Sequence, residues 1–121
     1  MNFPSKVLLL YAILLCRVNI PLASGQEVSP LFHHFATADG LPSSEVYISA
    51  QDRLGNLWFG TDRGLAKYNG YEFRTFTSKD GLADNTIFKL QEDAKGRMWA
   101  LTYSGQLFYI EQDRVQAYAY N

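Results

Sequence analysis

A pattern of four residues occurs twice in this sequence at a fixed distance. It lies in QDRLGNLWFGT (51–61) and again in EDAKGRMWALT (92–102). The shared residues are Asp52, Gly55, Trp58 and Thr61 in the first copy and Asp93, Gly96, Trp99 and Thr102 in the second, each pair 41 positions apart. A period of about 40 residues is typical of folds in which one small structural unit is stacked on copies of itself.

The similarity continues on both sides of this pattern. The additional shared positions are Asp39, Gly40 and Leu41 with Asp80, Gly81 and Leu82, and Gly64 with Gly105. After Gly105 the second copy has one additional residue, so we predict repeats at about 39–79 and about 80–121. The segment from Phe32 resembles the segment from Phe73, which predicts that residues 32–37 form a strand of a preceding or closing unit.

Local patterns within each repeat favour short β-strands. EVYISAQ and TIFKLQE are rich in β-branched and aromatic residues, and each is followed by a turn with Asp and Gly three positions apart. LWFGT and MWALT continue as return strands, LAKY and YEFRTFT as the third and fourth strands of the first repeat. Asn69-Gly70 predicts a two-residue hairpin turn between these last two. Four short strands in about 40 residues are typical of a β-propeller blade, so we predict an all-β chain of two four-stranded blades.

The repeated tryptophans have a physical role in such a fold. Blades are sheets stacked face to face, and one large aromatic side chain per blade fills the wedge between neighbours. Burial of such a side chain removes about 150–250 Å² from water. Gly60, beside Trp58, leaves room for the next blade, whereas Leu101 occupies that position in the second repeat and predicts different packing there.

Residues 1–25 have the organisation of a secretory signal peptide. Lys6 precedes an apolar run over residues 7–16, and the small residues Ala23, Ser24 and Gly25 predict cleavage after Gly25. An uncleaved anchor helix is the alternative, although the run is shorter than the roughly 20 residues that a span requires. A lipoprotein signal at Cys16 is a weaker alternative because the preceding Leu15 is bulky. Residues 26–31 are a polar lead.

The composition restricts the remaining possibilities. The chain has 121 residues, of which 47% are hydrophobic, and a net charge of −1. This is the composition of a globular protein, and it gives no electrostatic indication of a nucleic-acid partner. Cys16 is the one cysteine, so the exported chain would contain neither a disulfide nor a thiolate metal site.

The string DGLPSSEVYISAQDRLGNLWFGTDRGLAKYNGYEF (39–73) resembles the two-component regulator propeller repeat. It contains Asp-Gly-Leu-Pro, an aliphatic-aromatic strand, Asp-x-x-Gly-Asn-Leu-Trp-x-Gly-Thr, and then Gly-Leu and Asn-Gly. The second copy is looser, with Ala83, Arg97 and Ala100-Leu101 at positions where the first copy follows the pattern. The resemblance extends from about Phe32 to the end of the chain.

This resemblance implies a function in signal transduction. Such repeats build the periplasmic sensor propellers of hybrid histidine kinases, which control a phosphorelay and usually respond to an oligosaccharide. The implied partners are the remaining blades of the propeller and that oligosaccharide, with the membrane reached through the signal segment or a further spanning helix. Because a closed propeller typically needs four to eight blades, we expect the chain to be the N-terminal fragment of a longer sensor or a truncated gene product.

We predict no catalytic, cofactor-binding or metal-binding residues in this chain. His33 and His34 are adjacent, so on a strand they point to opposite faces and do not readily share a metal ion. Asp52 and Asp93 are interpreted as turn formers, and the carboxylate sets Glu45/Asp52 and Glu92/Asp93 are unsuited to a glycosidase pair.

The ligand-binding residues are not determined by the sequence. Tyr47, Tyr71, Tyr103 and Tyr118 either stack on sugar rings or fill strand faces between blades, and the sequence leaves both open. The alternative function is that of a secreted propeller scaffold or a polysaccharide-active enzyme whose catalytic residues lie beyond this chain.

Overall fold

The computed structural model describes residues 4–6, 25 and 29–121. The predicted signal peptide and its cleavage site fall almost entirely outside these residues, so both stay predictions. The fold described below is that of one compact unit, His33–Asn121. Across the described ranges, no helix has both the length and the apolar character needed to span a membrane.

Eight strands form two antiparallel sheets, and the strand order in each sheet follows the chain. The first sheet contains β1 (Val46–Gln51), β2 (Leu57–Thr61), β3 (Gly64–Tyr68) and β4 (Phe73–Phe76). The second contains β5 (Ile87–Glu92), β6 (Met98–Thr102), β7 (Leu107–Glu111) and β8 (Arg114–Ala117). Short 3-10 turns at Thr37–Asp39 and Ser78–Asp80 precede the two sheets. The predicted all-β chain of two four-stranded blades is confirmed.

The turn between the third and fourth strands differs from the prediction in the first blade. Asn69-Gly70 does not form a two-residue hairpin, because Tyr68 pairs with Phe73 and four residues form the loop. The Asn69 side-chain oxygen accepts hydrogen bonds from the Tyr71 and Glu72 amides, at 2.9 and 3.0 Å. These two hydrogen bonds stabilise the four-residue loop.

A two-residue hairpin occurs instead at the corresponding place in the second blade. Glu111 pairs with Arg114, and the intervening Gln112 and Asp113 both have positive φ, 48° and 58°. Positive φ at both central residues gives the turn the twist that two antiparallel strands need. The sequence did not indicate this turn because neither residue is glycine.

The segment before the first blade has not formed a strand in this structure. Residues 32–36 lie outside the eight strands, and the first 3-10 turn begins at Thr37. Phe35 nevertheless packs against the outer face of the first sheet, with ring centroids 5.8, 4.8 and 5.5 Å from those of Phe59, Tyr68 and Phe73. That segment 32–37 belongs to a preceding or closing blade therefore stays a prediction.

The hydrophobic core lies between the two sheets. The first sheet contributes the buried side chains of Trp58, Leu65 and Phe76. Leu82, in the connection before β5, also belongs to the core. The second sheet contributes Ile87, Met98, Ala100, Phe108 and Ile110. The sheets approach most closely through β5, which contacts β1 and β2. They therefore form a wedge that is narrow at the first strands and is filled by large side chains farther out.

Gly60 marks the narrow part of this wedge. A Cβ atom at Gly60 would lie 2.5 Å from Ile48 Cγ2 and 2.8 Å from the backbone oxygen of Ile87 in the second sheet. Only a residue without a side chain permits this approach, as the sequence predicted. Leu101 occupies the same register position in the second sheet, where its side chain is half-buried.

The outer face of the second sheet has side chains equivalent to those that the first sheet buries against the second. Trp58 is 3% exposed and stacks on Phe76 at 6.1 Å, whereas Trp99 is half-buried beside Tyr118 at 5.6 Å. Tyr118 corresponds to Phe76 once the additional residue of the second repeat is counted. The two tryptophans thus have equivalent neighbours in their own sheets, and they differ in whether a second sheet covers them.

In a protein that contains the closed propeller, we expect Trp58→Ala to lower the free energy of unfolding by about 3–5 kcal/mol, because it empties the inter-sheet wedge. In the two-blade chain alone, Trp99→Ala should lower the midpoint of denaturation by roughly half as much as Trp58→Ala, since Trp99 buries less apolar surface there. Denaturant melts of the two variants measure the difference. Each variant also loses one hydrogen bond to its own aspartate. This loss is the same in both variants, so the difference between them measures the effect of burial under a second sheet. Equal losses would contradict this assignment of the buried face.

Candidate functional site

The Asp52 carboxylate holds the first hairpin together. Its Oδ1 accepts hydrogen bonds from the Leu54 and Asn56 amides at 3.0 and 2.9 Å. Its Oδ2 accepts from Asn56 Nδ2 at 2.8 Å and from the Trp58 indole Nε1 at 2.9 Å. Gly55 closes the loop with φ 88°. One side chain therefore both shapes the turn and fixes the tryptophan that fills the wedge.

Asp93 does the same in the second hairpin. Its Oδ1 accepts from the Lys95 and Arg97 amides at 2.9 and 3.0 Å, and its Oδ2 accepts from Trp99 Nε1 at 2.8 Å and Arg97 Nε at 2.7 Å. Arg97 thus replaces Asn56, and its guanidinium lies over the rings of Trp99 and Tyr109, 5.4 and 4.9 Å from their centroids. All four hydrogen bonds to the Asp93 carboxylate come from residues of its own hairpin, which is the geometry of a turn former.

The electrostatics of both carboxylates follow from these bonds. At Asp52, burial alone would raise the pKa, but the hydrogen bonds from Trp58, Asn56 and Leu54 lower it below the ordinary value of 3.8. At Asp93, the bond from Trp99 Nε1 has the largest effect, and with those from Arg97 and Lys95 it lowers the pKa strongly. The bond to Asp93 in turn raises the pKa of Arg97. Both aspartates are therefore charged acceptors at neutral pH.

The Asp-Gly-Leu segments form the connection into each sheet. Asp39 Oδ2 accepts from the Ala36 amide and Asp80 Oδ2 from the Thr77 amide, both at 2.8 Å. Gly40 and Gly81 follow in the left-handed conformation, and the leucines after them are 6% and 3% exposed. Each segment thus reverses the chain and inserts a leucine into the core.

Thr61 and Thr102 secure the turns after the second strands. The Thr61 hydroxyl donates to the Gly64 carbonyl at 2.8 Å and accepts from the Arg63 amide at 3.0 Å. Thr102 bonds Gln106 in a loop that is longer by the additional residue. Both threonines are buried.

Two ionic contacts between the blades were not predicted. Arg53 donates from Nε to Glu92 Oε1 at 2.8 Å and from its amide to Oε2 at 2.9 Å, and its guanidinium also reaches the carbonyls of Asp93 and Ala94 at 2.6 and 3.2 Å. Farther out, the carboxylate of Asp113 pairs with Lys67 Nζ at 2.9 Å and Arg74 Nη1 at 3.4 Å.

A signal for these contacts is present in the sequence. All five residues of these ionic contacts lie at positions where the two repeats differ in charge: Arg53, Lys67 and Arg74 correspond to Ala94, Tyr109 and Gln116, and Glu92 and Asp113 correspond to Gln51 and Tyr71. Other positions, such as Glu45 and Thr86, differ in charge as well, so this comparison alone does not single out the contacts.

An exposed aromatic row crosses the first strands of both sheets. The ring centroids of Tyr47 and Phe88 are 4.8 Å apart, and those of Phe88 and Tyr103 are 5.7 Å apart. Tyr47 also donates from its hydroxyl to Glu45 Oε2 at 3.1 Å. That hydrogen bond, with desolvation and the charges of Glu45 and Asp62, raises the pKa of Tyr47 and keeps its hydroxyl protonated.

The structure separates the other residues singled out from the sequence. Tyr71 is 95% exposed in the β3–β4 loop, whereas Tyr118 packs against Trp99 on the outer face of the second sheet. The ring centroids of His33 and Phe35 are 6.5 Å apart. Glu92 is held by Arg53 rather than paired with its neighbour Asp93. In the portion that the structure covers, no three His, Cys, Asp or Glu side chains are grouped to hold a metal ion.

Comparison with known proteins gives two matches. Residues 40–63 and 81–104 match the family described as two component regulator propeller, and each segment includes one Asp–Trp hairpin. Histidine kinase P4 of Formosa agariphila is 39% identical over 51 residues, which cover 42% of this chain and 4% of the kinase. The chain thus matches a small part of the length of this relative. The two copies of the propeller repeat predicted from the sequence are confirmed.

Acid should destabilise the fold through the two hairpin aspartates. Because their pKa values are lowered on folding, their contribution is complete above the unfolded pKa near 3.9 and is lost as the pH falls from about 5 towards the folded values. We expect Asp93→Asn to be less stable than the natural chain at pH 7 and to lose less stability between pH 5 and pH 3.

Denaturant unfolding at several pH values measures this dependence. The exposed Glu72→Gln is the control and should leave both the stability and its pH dependence close to those of the natural chain. An identical pH slope for Asp93→Asn and the natural chain would show that the hairpin carboxylate is not the titrating group.

Proposed function

We propose that this chain, which carries two copies of the two-component regulator propeller repeat, is part of the ligand-sensing propeller of a histidine kinase-type signalling protein. The repeats themselves and the kinase relative support this proposal. The ligand that we propose is an oligosaccharide, and the role of the chain is recognition. The described residues fold into propeller repeats with no catalytic domain among them.

The observation that carries this proposal is the outer face of the second sheet. Trp99, Leu101, Leu107 and Tyr109 are half-buried there, whereas Trp58 at the equivalent position is covered by a neighbouring sheet. The first interface shows what chemistry covers such a face, namely another four-stranded sheet with an apolar inner side. Further blades are therefore the partners that fit this face.

The site of action that we propose is the periplasm. The signal-peptide pattern of residues 1–25 supports export, which would let the propeller meet its ligand outside the cytoplasm. The absence of cysteine after residue 25 is compatible with an oxidising compartment.

Because of this outer face, residues 26–121 by themselves should not behave as a well-folded monomer. Repeat stability is the sum of unit and interface terms, and the two blades share a single interface. We expect oligomers or a broad, non-cooperative melt in size-exclusion chromatography and calorimetry. Adding the neighbouring repeats should give a monomer with a sharp transition. A sharp two-state melt of a monomeric 26–121 would contradict the need for further blades.

The function is tested by phosphorylation of the intact protein in membranes. We expect its ATP-dependent phosphorylation to change on addition of a cognate oligosaccharide, and deletion of residues 33–121 to abolish that response. Tyr71→Ala, in an exposed loop, is the control that should preserve it. Polysaccharide cleavage by an intact protein that is not phosphorylated would instead support the alternative of a secreted enzyme.

A further inference from the structure

A β-bulge occurs at the same place in both repeats. In β1, Val46 pairs with Thr61 and Ile48 with Gly60, so Tyr47 is the additional residue. In β5, Ile87 pairs with Thr102 and Lys89 with Leu101, so Phe88 is the additional residue. Bulges redirect side chains and are frequent next to functional sites. In both copies the redirected residue is aromatic.

The bulges bring these aromatic residues together on the surface. Tyr47 and Phe88 are 44% and 40% exposed although their centroids lie 4.8 Å apart, and Tyr103, 5.7 Å from Phe88, is 75% exposed. The Tyr103 amide donates to the Thr86 carbonyl at 2.8 Å, which fixes its backbone beside β5. The row therefore has a defined geometry before any ligand arrives.

The row lies at the narrow side of the wedge. The two sheets converge at β1 and β5, so in a ring of such blades these strands face the central axis. Tyr47 and Phe88 are repeat equivalents, so in this pair an aromatic ring contacts its counterpart in the neighbouring blade, at an interplanar angle of 30°. The row is thus placed at the mouth of the axial channel.

Two carboxylates lie next to residues of the row. Glu45 Oε2 accepts from the Tyr47 hydroxyl at 3.1 Å, and Asp84 Oδ2 accepts at 3.1 Å from the amide of Ser104, which follows Tyr103. Carboxylates accept hydrogen bonds from hydroxyl groups. Near the row, the carboxylates of Glu45, Asp62 and Asp84 outnumber the cations Arg63 and Lys89, which disfavours an anionic ligand at this edge.

We propose that the bulge-directed row of Tyr47, Phe88 and Tyr103 is a stacking platform for the pyranose rings of a neutral oligosaccharide. The C–H face of a sugar packs on the aromatic faces while its hydroxyl groups donate to the neighbouring carboxylates. This assignment rests on the proposed function for the saccharide class, and it adds the location of the site and the neutral charge of the ligand.

The test is saccharide binding by the intact protein, measured by calorimetry and saturation-transfer NMR. The probes are neutral oligosaccharides, uronic acid-containing and sulfated oligosaccharides, and tetramethylammonium as a cation that aromatic faces could also bind. We expect a neutral oligosaccharide to bind and Phe88→Ala to weaken it about tenfold. Tyr47→Ala should have a similar effect, whereas Phe88→Tyr, Tyr47→Phe and the exposed-loop control Tyr71→Ala should bind within about twofold of the natural protein.

Circular dichroism and thermal melts of each variant establish that the fold is retained, and the conservative variants separate loss of the ring from loss of structure. Neutral saccharide binding that is unchanged in a folded Phe88→Ala would overturn the platform and leave the proposed function standing. Selective binding of acidic saccharides or of tetramethylammonium overturns the ligand class. If no saccharide binds the intact protein while its phosphorylation responds to another compound, both the platform and the oligosaccharide are wrong.

Discussion

The hydrogen bond from a tryptophan indole to a hairpin aspartate is the contact on which this structure depends. In each blade the aspartate carboxylate accepts hydrogen bonds from amides of a five-residue loop. It also accepts from the tryptophan Nε1 at 2.8–2.9 Å, which orients the indole. The Trp58 indole then lies on the face of the first sheet that the second sheet covers, and the Trp99 indole lies on the equivalent, half-buried outer face of the second sheet. The aspartate that shapes the hairpin turn therefore also positions the indole against which a neighbouring sheet can pack.

The size and charge of the side chains between the two sheets change with distance from the first strands, β1 and β5. Near β1 and β5 the sheets are so close that Gly60 has no room for a Cβ atom. Farther out, Trp58, Phe76 and Phe108 fill the gap, and at the outer edge Lys67 and Arg74 reach Asp113. Exposed ion pairs contribute little stability, typically below about 1 kcal/mol, so the buried side chains of the wedge account for most of the stabilisation between the sheets. The equivalent positions on the outer face of the second sheet, Tyr109 and Gln116, are neutral.

The aromatic row at the narrow side is a consequence of the same geometry. A single additional residue in each first strand turns one side chain out of the alternating pattern, and the close approach of β1 and β5 brings the rings of Tyr47 and Phe88 into contact. The repeat that builds the scaffold therefore also repeats a surface feature. A ligand at this place would contact two blades at once.

The repeat, its period, the strands and the buried tryptophan of the first blade can be derived from the sequence alone. These features depend on neighbouring residues: alternation within five or six positions, an aspartate that bonds its own turn, and a glycine where the backbone needs positive φ. Even here the local signal was wrong at Asn69-Gly70, because the Asn69 side chain accepts hydrogen bonds from the amides of a longer, four-residue loop. The tertiary structure decided what depends on residues far apart in the chain. Arg53 meets Glu92 across 39 positions, Lys67 meets Asp113 across 46, and Trp58 and Trp99 differ in burial only because one sheet covers the other.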